Sequence, residues 1–182
     1  MKHATLGFLN GRVVPALTAL GDNPYLSAVR AGMVSVVPLT IIGGLFMVVS
    51  FLPLPHWEER IAAWLPLLQI PVTATFGLLA VFACFAVAYD LGKQWRQEAV
   101  VSASMATLVF LMIQLDAKEQ TLRMDGLGSQ GLFSAILVAL ITVRVQKWFT
   151  DSNWVIRLPK NVPEVVYESF LSLTPLVFLV VA

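Results

Sequence analysis

The sequence predicts an all-α integral membrane protein: about five transmembrane helices plus an N-terminal interfacial amphipathic helix, in a single membrane domain over residues 1–182. Three observations predict it. The 182-residue chain is 58% hydrophobic and 13% charged, with a mean hydropathy of +0.79, where soluble domains carry about 25% charged residues. Apolar runs free of Asp, Glu, Lys and Arg recur along it, near the roughly 20 residues that cross a hydrocarbon core. Lys and Arg alternate between loops that are rich in them and loops that are poor.

The first 20 residues carry a helical stripe. Leu6, Leu9, Val13, Leu17 and Leu20 recur at spacings of three and four, with Lys2, Asn10 and Arg12 off it. Such a helix lies in the membrane interface or packs on the soluble side. Asn10, Gly11, Arg12 and Pro15 interrupt the place where a signal peptide would need a continuous apolar region.

Four charge-free windows follow: Ala31 to Pro55 (25 residues), Ile61 to Tyr89 (29), Ala99 to Leu115 (17) and Gly126 to Val143 (18). The first is span-sized. The second is too long and holds Pro66, Gln69 and Pro71, which predicts a span starting near Val72. The third and fourth sit at the short limit. A fifth window, Ser169 to Ala182, is charge-free for 14 residues, about 21 Å of helix against a core of roughly 30 Å. The chain then ends on LVVA without an anchoring residue, which predicts a longer protein continuing past Ala182 and a C-terminal truncation here.

Counted over alternate loops, nine cations fall on one side and three on the other. The richer side, with the N-terminus and the loops after Lys93 and after Arg144, is expected to be cytoplasmic. Trp57, Trp64, Trp95, Trp148 and Trp154 all fall near expected span ends, where an indole favours the headgroup layer. A net charge of +1 leaves no basic field for nucleic acid. The single cysteine, Cys84, excludes an internal disulfide and reads as a small core or lipid-facing residue.

Few residues carry chemistry. Gly126, Gly128 and Gly131 spell G-x-G-x-x-G, but they follow a charged loop and open a membrane helix, not a βαβ unit, so they read as a helix-entry turn. Pro38, Gly43 and Gly44 in the first span mark either a broken transporter helix or a kinked, closely packed one. His3 and His56 fall on opposite sides of the membrane. His56 with Glu58 and Glu59 could hold a metal only loosely, and a solvated loop is the plainer reading. Glu168 is the one acid that could enter a span. It is an intramembrane functional candidate or an interfacial carboxylate at a helix start. No catalytic residue, cofactor or metal site is expected.

Three strings resemble the lactose/cellobiose family of phosphotransferase-system enzyme IIC, the membrane subunit. They are NPYLSAVRAGMVSVVPLTIIGG (Asn23 to Gly44), TFGLLAVFACFAVAYDLGK (Thr75 to Lys93) and LPKNVPEVVYESFLSLTP (Leu158 to Pro175), in the family's order. The resemblance implies a fold of about ten helices forming a homodimer, with the first five supplying much of the dimer contact. It also implies a sugar site in the C-terminal half and a soluble IIB partner that phosphorylates the sugar. No sugar-contact residue of the family has a matching position in this chain. The implied function is the N-terminal part of a permease for a cellobiose-like β-glucoside, inactive alone. The alternatives are a small scaffold that dimerises with or modifies a full-length permease, and an unrelated membrane protein such as a channel. The lack of paired intramembrane charges weakens the last. Dimer contacts are expected at Gly43 with Gly44, and at Ser102 with Ala103 and Ala106.

Overall fold

The structure, a computed structural model, describes residues 21–116 and 121–152 together with positions 175, 177 and 178. The N-terminal stripe, Glu168 and most of the fifth window lie outside the described residues. Apart from short connections and one hairpin of two two-residue strands, the described chain is helical. The elements are α1 (Pro24–Ser50), α2 (Trp57–Ile61), α3 (Leu65–Phe76), α4 (Leu79–Gln94), α5 (Ala99–Ile113), β1 (Leu115–Asp116), β2 (Thr121–Leu122), α6 (Met124–Leu127), a 3-10 turn (Ser129–Gly131) and α7 (Leu132–Asp151).

Helix α1 starts where its chemistry dictates. Asn23 is the N-cap, its Oδ1 accepting from the Tyr25 amide at 3.0 Å, and Pro24 fills the first position, where no backbone donor is needed. The helix then runs 27 residues through Pro38, Gly43 and Gly44 without a break. Pro38 removes one ladder bond, but its neighbours hold the helix. Of the two readings of these residues, close packing is what the structure shows at Gly43, which lies against Thr75 and Phe76 of α3, whereas nothing lies within 4 Å of a side chain at Gly44.

The second membrane pass begins at Leu65, not near Val72. Pro66 stands in the first turn of α3 and Pro71 inside it, and a proline in the first turn costs no hydrogen bond. The pass bends at Gly77 and Leu78 and resumes as α4; taken together, Leu65–Gln94 is 30 residues of mean hydropathy 2.2. Pro24–Ser50 and Ser129–Asp151 are also long and apolar enough to cross a membrane, and the 15-residue α5 is a shorter apolar helix.

Contacts fix the directions. Tyr25 packs edge-on against Trp95 at 5.3 Å, Gly32 against Val87, and Gly43 against Thr75, so α1 runs antiparallel to α3 and α4. Gly92 faces Ala99 and Ser102, which makes α4 and α5 a helical hairpin. Arg144 and Lys147 of α7 lie over the Trp95 ring, so α7 ends where α4 ends. Helix α4 is central: α1, α5 and α7 all pack on it. The core is built of small side chains; Ala80, Ala83, Ala88, Ala103, Ala106 and Ala139 are wholly buried. That composition brings backbones close, as membrane helices require where no water drives association. The outward surface is apolar instead: Val34, Ile41, Leu45 and Val48 of α1 are all more than half exposed.

Alternate connections therefore share an end. The start of α1, the turn after α4 and the end of α7 lie at what is called here the Trp95 end. The turn after α1 and the β-hairpin lie at the Trp57 end.

Candidate functional site

His3 and Glu168 lie outside the described residues; the other candidate residues each have a definite place. His56 takes a left-handed φ of 57° and meets Glu59 at 3.5 Å, both side chains at least three-quarters exposed. This is the solvated loop of the plainer reading. No group of three or more His, Cys, Asp and Glu that could hold a metal occurs among the described residues. Cys84 is buried in the α4 core. Gly126, Gly128 and Gly131 form the helix-entry turn: α6 and the 3-10 turn lead directly into α7. A Cβ at Gly128 would sit 3.1 Å from the Phe76 carbonyl, so the glycine lets this turn close on the α3–α4 bend.

A sugar site needs convergent polar groups, and most hydroxyls of the described spans are turned elsewhere. Ser35, Ser50, Thr107 and Thr150 donate to carbonyls four residues back, and Thr40 and Ser134 to carbonyls three back. Thr75 reaches the carbonyls of both Pro71 and Val72. Such bonds satisfy a hydroxyl within its own helix in a medium that offers no water. Two open grooves, of about 370 and 400 Å³, lie on the bundle surface. The first is lined by Phe85, Leu108 and Leu111 among others, the second by Ile70, Ala74 and Met124. Their walls are apolar and suit acyl chains, not hydroxyls.

The polar exceptions cluster toward the Trp95 end. Ser102 Oγ, Gln146 Oε1 and both side-chain polar atoms of Gln97 are buried without a hydrogen-bond partner. Gln97 lies in the tight α4–α5 turn and Ser102 in the first turn of α5 that follows it. That turn is closed by bonds from the Gln97 amide to the Gly92 carbonyl (2.9 Å) and from the Arg96 amide to the Lys93 carbonyl (3.2 Å). Arg96 sits at the left-handed position with φ 56°, where glycine is the usual occupant and an L-residue costs about 1–2 kcal/mol. Trp95 is contacted by the Tyr25 ring, edge-to-face, and by the cations of Arg144 at 6.0 Å and Lys147 at 5.6 Å from its ring centre. At the Trp57 end the Trp57 indole donates to the Val49 carbonyl at 3.0 Å, and Arg123 pairs with Asp116 at 3.2 Å across the hairpin.

Of the expected dimer contacts, only Gly44 stands open. Gly43, Ser102, Ala103 and Ala106 are buried inside the bundle. Their small side chains serve helix contacts within one chain. The sequence reading missed the Trp95 cluster. Its only signal was the recurrence of Trp and Lys or Arg at span ends.

Comparison with known proteins agrees with this architecture. The family model for the phosphotransferase system, EIIC, matches residues 30–182. The cellobiose-specific EIIC component of Geobacillus stearothermophilus is 32% identical, over 92% of this chain and 41% of that protein. The lichenan permease IIC component of Bacillus subtilis is 28% identical over 92% and 41%. The lactose-specific EIICB component of Lacticaseibacillus casei is 29% identical over 91% and 30%. The crystal structure of the transporter ChbC, the IIC component from the N,N'-diacetylchitobiose-specific phosphotransferase system, superimposes with a TM-score of 0.86 at 31% identity. It is matched over 96% of this chain and 44% of its own. The chain thus spans less than half the length of these relatives.

Proposed function

Because the chain belongs to the EIIC family of the phosphotransferase system, we propose that it is the N-terminal, scaffold-building part of a bacterial sugar permease whose substrate is a cellobiose-like β-linked sugar. The observation that carries this is the match to ChbC across 96% of the chain at a TM-score of 0.86. The relatives' names converge on β-linked sugars: cellobiose, lichenan, lactose and diacetylchitobiose.

In this reading residues 1–182 form one membrane domain, seated in lipid with the N-terminus and the Trp95 end cytoplasmic. It acts with a IIB partner and assembles as a homodimer through faces other than Gly43 and Ser102. Among the described residues the chain supplies no sugar site of its own. Most of its span hydroxyls are bonded to their own helices, and an unpaired sugar hydroxyl in a low-dielectric site costs about 1–3 kcal/mol. Glu168 stays a proposed intramembrane acid.

The test is cellobiose uptake in a permease-deleted strain supplied with the soluble phosphotransferase proteins. The expected result is uptake at the empty-vector level from residues 1–182 alone, and restoration when the remainder of a related EIIC is co-expressed. Uptake from residues 1–182 alone would overturn the proposal.

A further inference from the structure

We propose that Arg144 and Lys147, held over the Trp95 ring, form a seat for the phosphate of an anionic phospholipid headgroup at the Trp95 end of the bundle. The inference needs only a membrane-embedded bundle and is independent of sugar transport.

Three features of the site call for an anion. The two cations lie one helical turn apart and approach one ring, at 6.0 and 5.6 Å. Like charges at this spacing repel, and the ring face offsets part of that repulsion without carrying a net charge. Arg144 makes no ion pair among the described residues, and Lys147 reaches only the exposed Asp151, at 3.6 Å. An anion bound between them completes the pairing in the way charge-assisted bonds do.

The seat is also built to persist. Tyr25 of α1 packs edge-to-face with the Trp95 ring, 5.3 Å away and at 89°. Arg96, exposed and held at a left-handed φ of 56°, places a third cation on the neighbouring turn at a position where glycine would be unstrained. Depth suits a headgroup: Arg144 follows directly on the charge-free run Gly126 to Val143, where hydrocarbon gives way to the polar layer. Trp148, beside Lys147, is 53% exposed, an indole placed as interfacial anchors are.

The other end of the bundle has no equivalent. Among the described residues the Trp95 end carries five cations and four acids, and the Trp57 end two cations and four acids. Arg123 there is already paired with Asp116. An anionic lipid is favoured over a zwitterionic one because the latter brings its own ammonium to a cationic site.

The experiment uses the 182-residue chain in nanodiscs of phosphatidylcholine, alone or mixed with phosphatidylglycerol. Bound lipid is read by native mass spectrometry and stabilisation by thermal unfolding. The wild type is expected to retain phosphatidylglycerol selectively and to melt higher in its presence. Arg144→Gln combined with Lys147→Gln should weaken phosphatidylglycerol binding about thirty-fold and abolish the rise in melting point that phosphatidylglycerol gives over phosphatidylcholine. Arg144→Lys with Lys147→Arg should keep the binding, which separates charge from packing should the glutamine pair fold poorly. Arg60→Gln with Arg123→Gln should also keep it, and inorganic phosphate in phosphatidylcholine discs should give no stabilisation. Wild-type phosphatidylglycerol affinity in the Arg144→Gln, Lys147→Gln variant would overturn the site. Equal loss in the Arg60→Gln, Arg123→Gln variant would reduce it to general surface charge. Equal protection by inorganic phosphate would remove the lipid as its occupant.

Discussion

Gly32 and Gly44 stand on the same helix, twelve positions apart, and the same substitution should move stability in opposite directions at the two. A Cβ at Gly32 would lie 2.6 Å from Val87 Cγ2, 2.7 Å from the Val87 amide nitrogen and 2.8 Å from its Cα. Two of those three atoms are backbone, so no rotamer change relieves them, and α1 must move off α4. Overpacking of this kind costs about 1–3 kcal/mol, and the backbone contacts put this case in the upper half. Alanine regains about 0.8–1 kcal/mol over glycine in a helix interior. The net expectation for Gly32→Ala is about 1–2 kcal/mol of destabilisation. At about 2–4 °C per kcal/mol for a chain of this size, the melting point in mild detergent should fall by about 2–8 °C. At Gly44 nothing lies within 4 Å of the added methyl, and only the helix gain remains, a rise of about 2–4 °C. Adding Val87→Ala to Gly32→Ala removes the Cγ2 contact but neither backbone contact, so rescue should be partial. A Gly32→Ala variant as stable as the wild type would refute the close α1–α4 approach. Complete rescue by Val87→Ala would refute the claim that backbone sets the limit.

Three further outcomes are expected. Alkaline phosphatase fused at Glu59 should be active in cells and fused at Lys93 inactive, and the opposite pattern would invert the proposed orientation. Cys84, wholly buried in the α4 core, should resist maleimide in the folded protein and react in full after denaturation; fast labelling of the folded chain would contradict its burial. Crosslinking in mild detergent should trap a homodimer, and a cysteine on the exposed α1 face at Ile41 should join it more readily than one at buried Ala103. A monomer at every concentration would remove the dimer from the proposal.

What the sequence made legible here was what one-dimensional rules control. Charge-free runs marked the passes, because charge is costly in hydrocarbon. Asn23 and Pro24 marked the start of α1 through capping chemistry, and the Gly126–Gly131 stretch read correctly as an entry turn because its context excluded a βαβ unit. Prolines were less legible. Pro66 and Pro71 moved the expected start of the second pass to Val72, yet the helix begins at Leu65: Pro66 in the first turn loses no bond, and the helix runs on through Pro71 despite the donor it lacks. The bend at Gly77 was hidden inside a run that is apolar on both sides of it.

Pairing was not legible at all. Gly43 and Gly44 are identical neighbours, but about 100° of helix turns one into Thr75 and leaves the other open. Ser102, Ala103 and Ala106 looked like a dimer face because a small-residue stripe fits a partner helix from any chain. Here the nearest partner is α4 of the same chain, joined to α5 by the four-residue turn Trp95–Glu98. A helix tethered that closely meets its hairpin neighbour before any second chain, so small faces flanking a tight turn belong first to the fold. The side chains of α1 that this packing leaves exposed are large and apolar instead: Val34, Ile41, Leu45 and Val48.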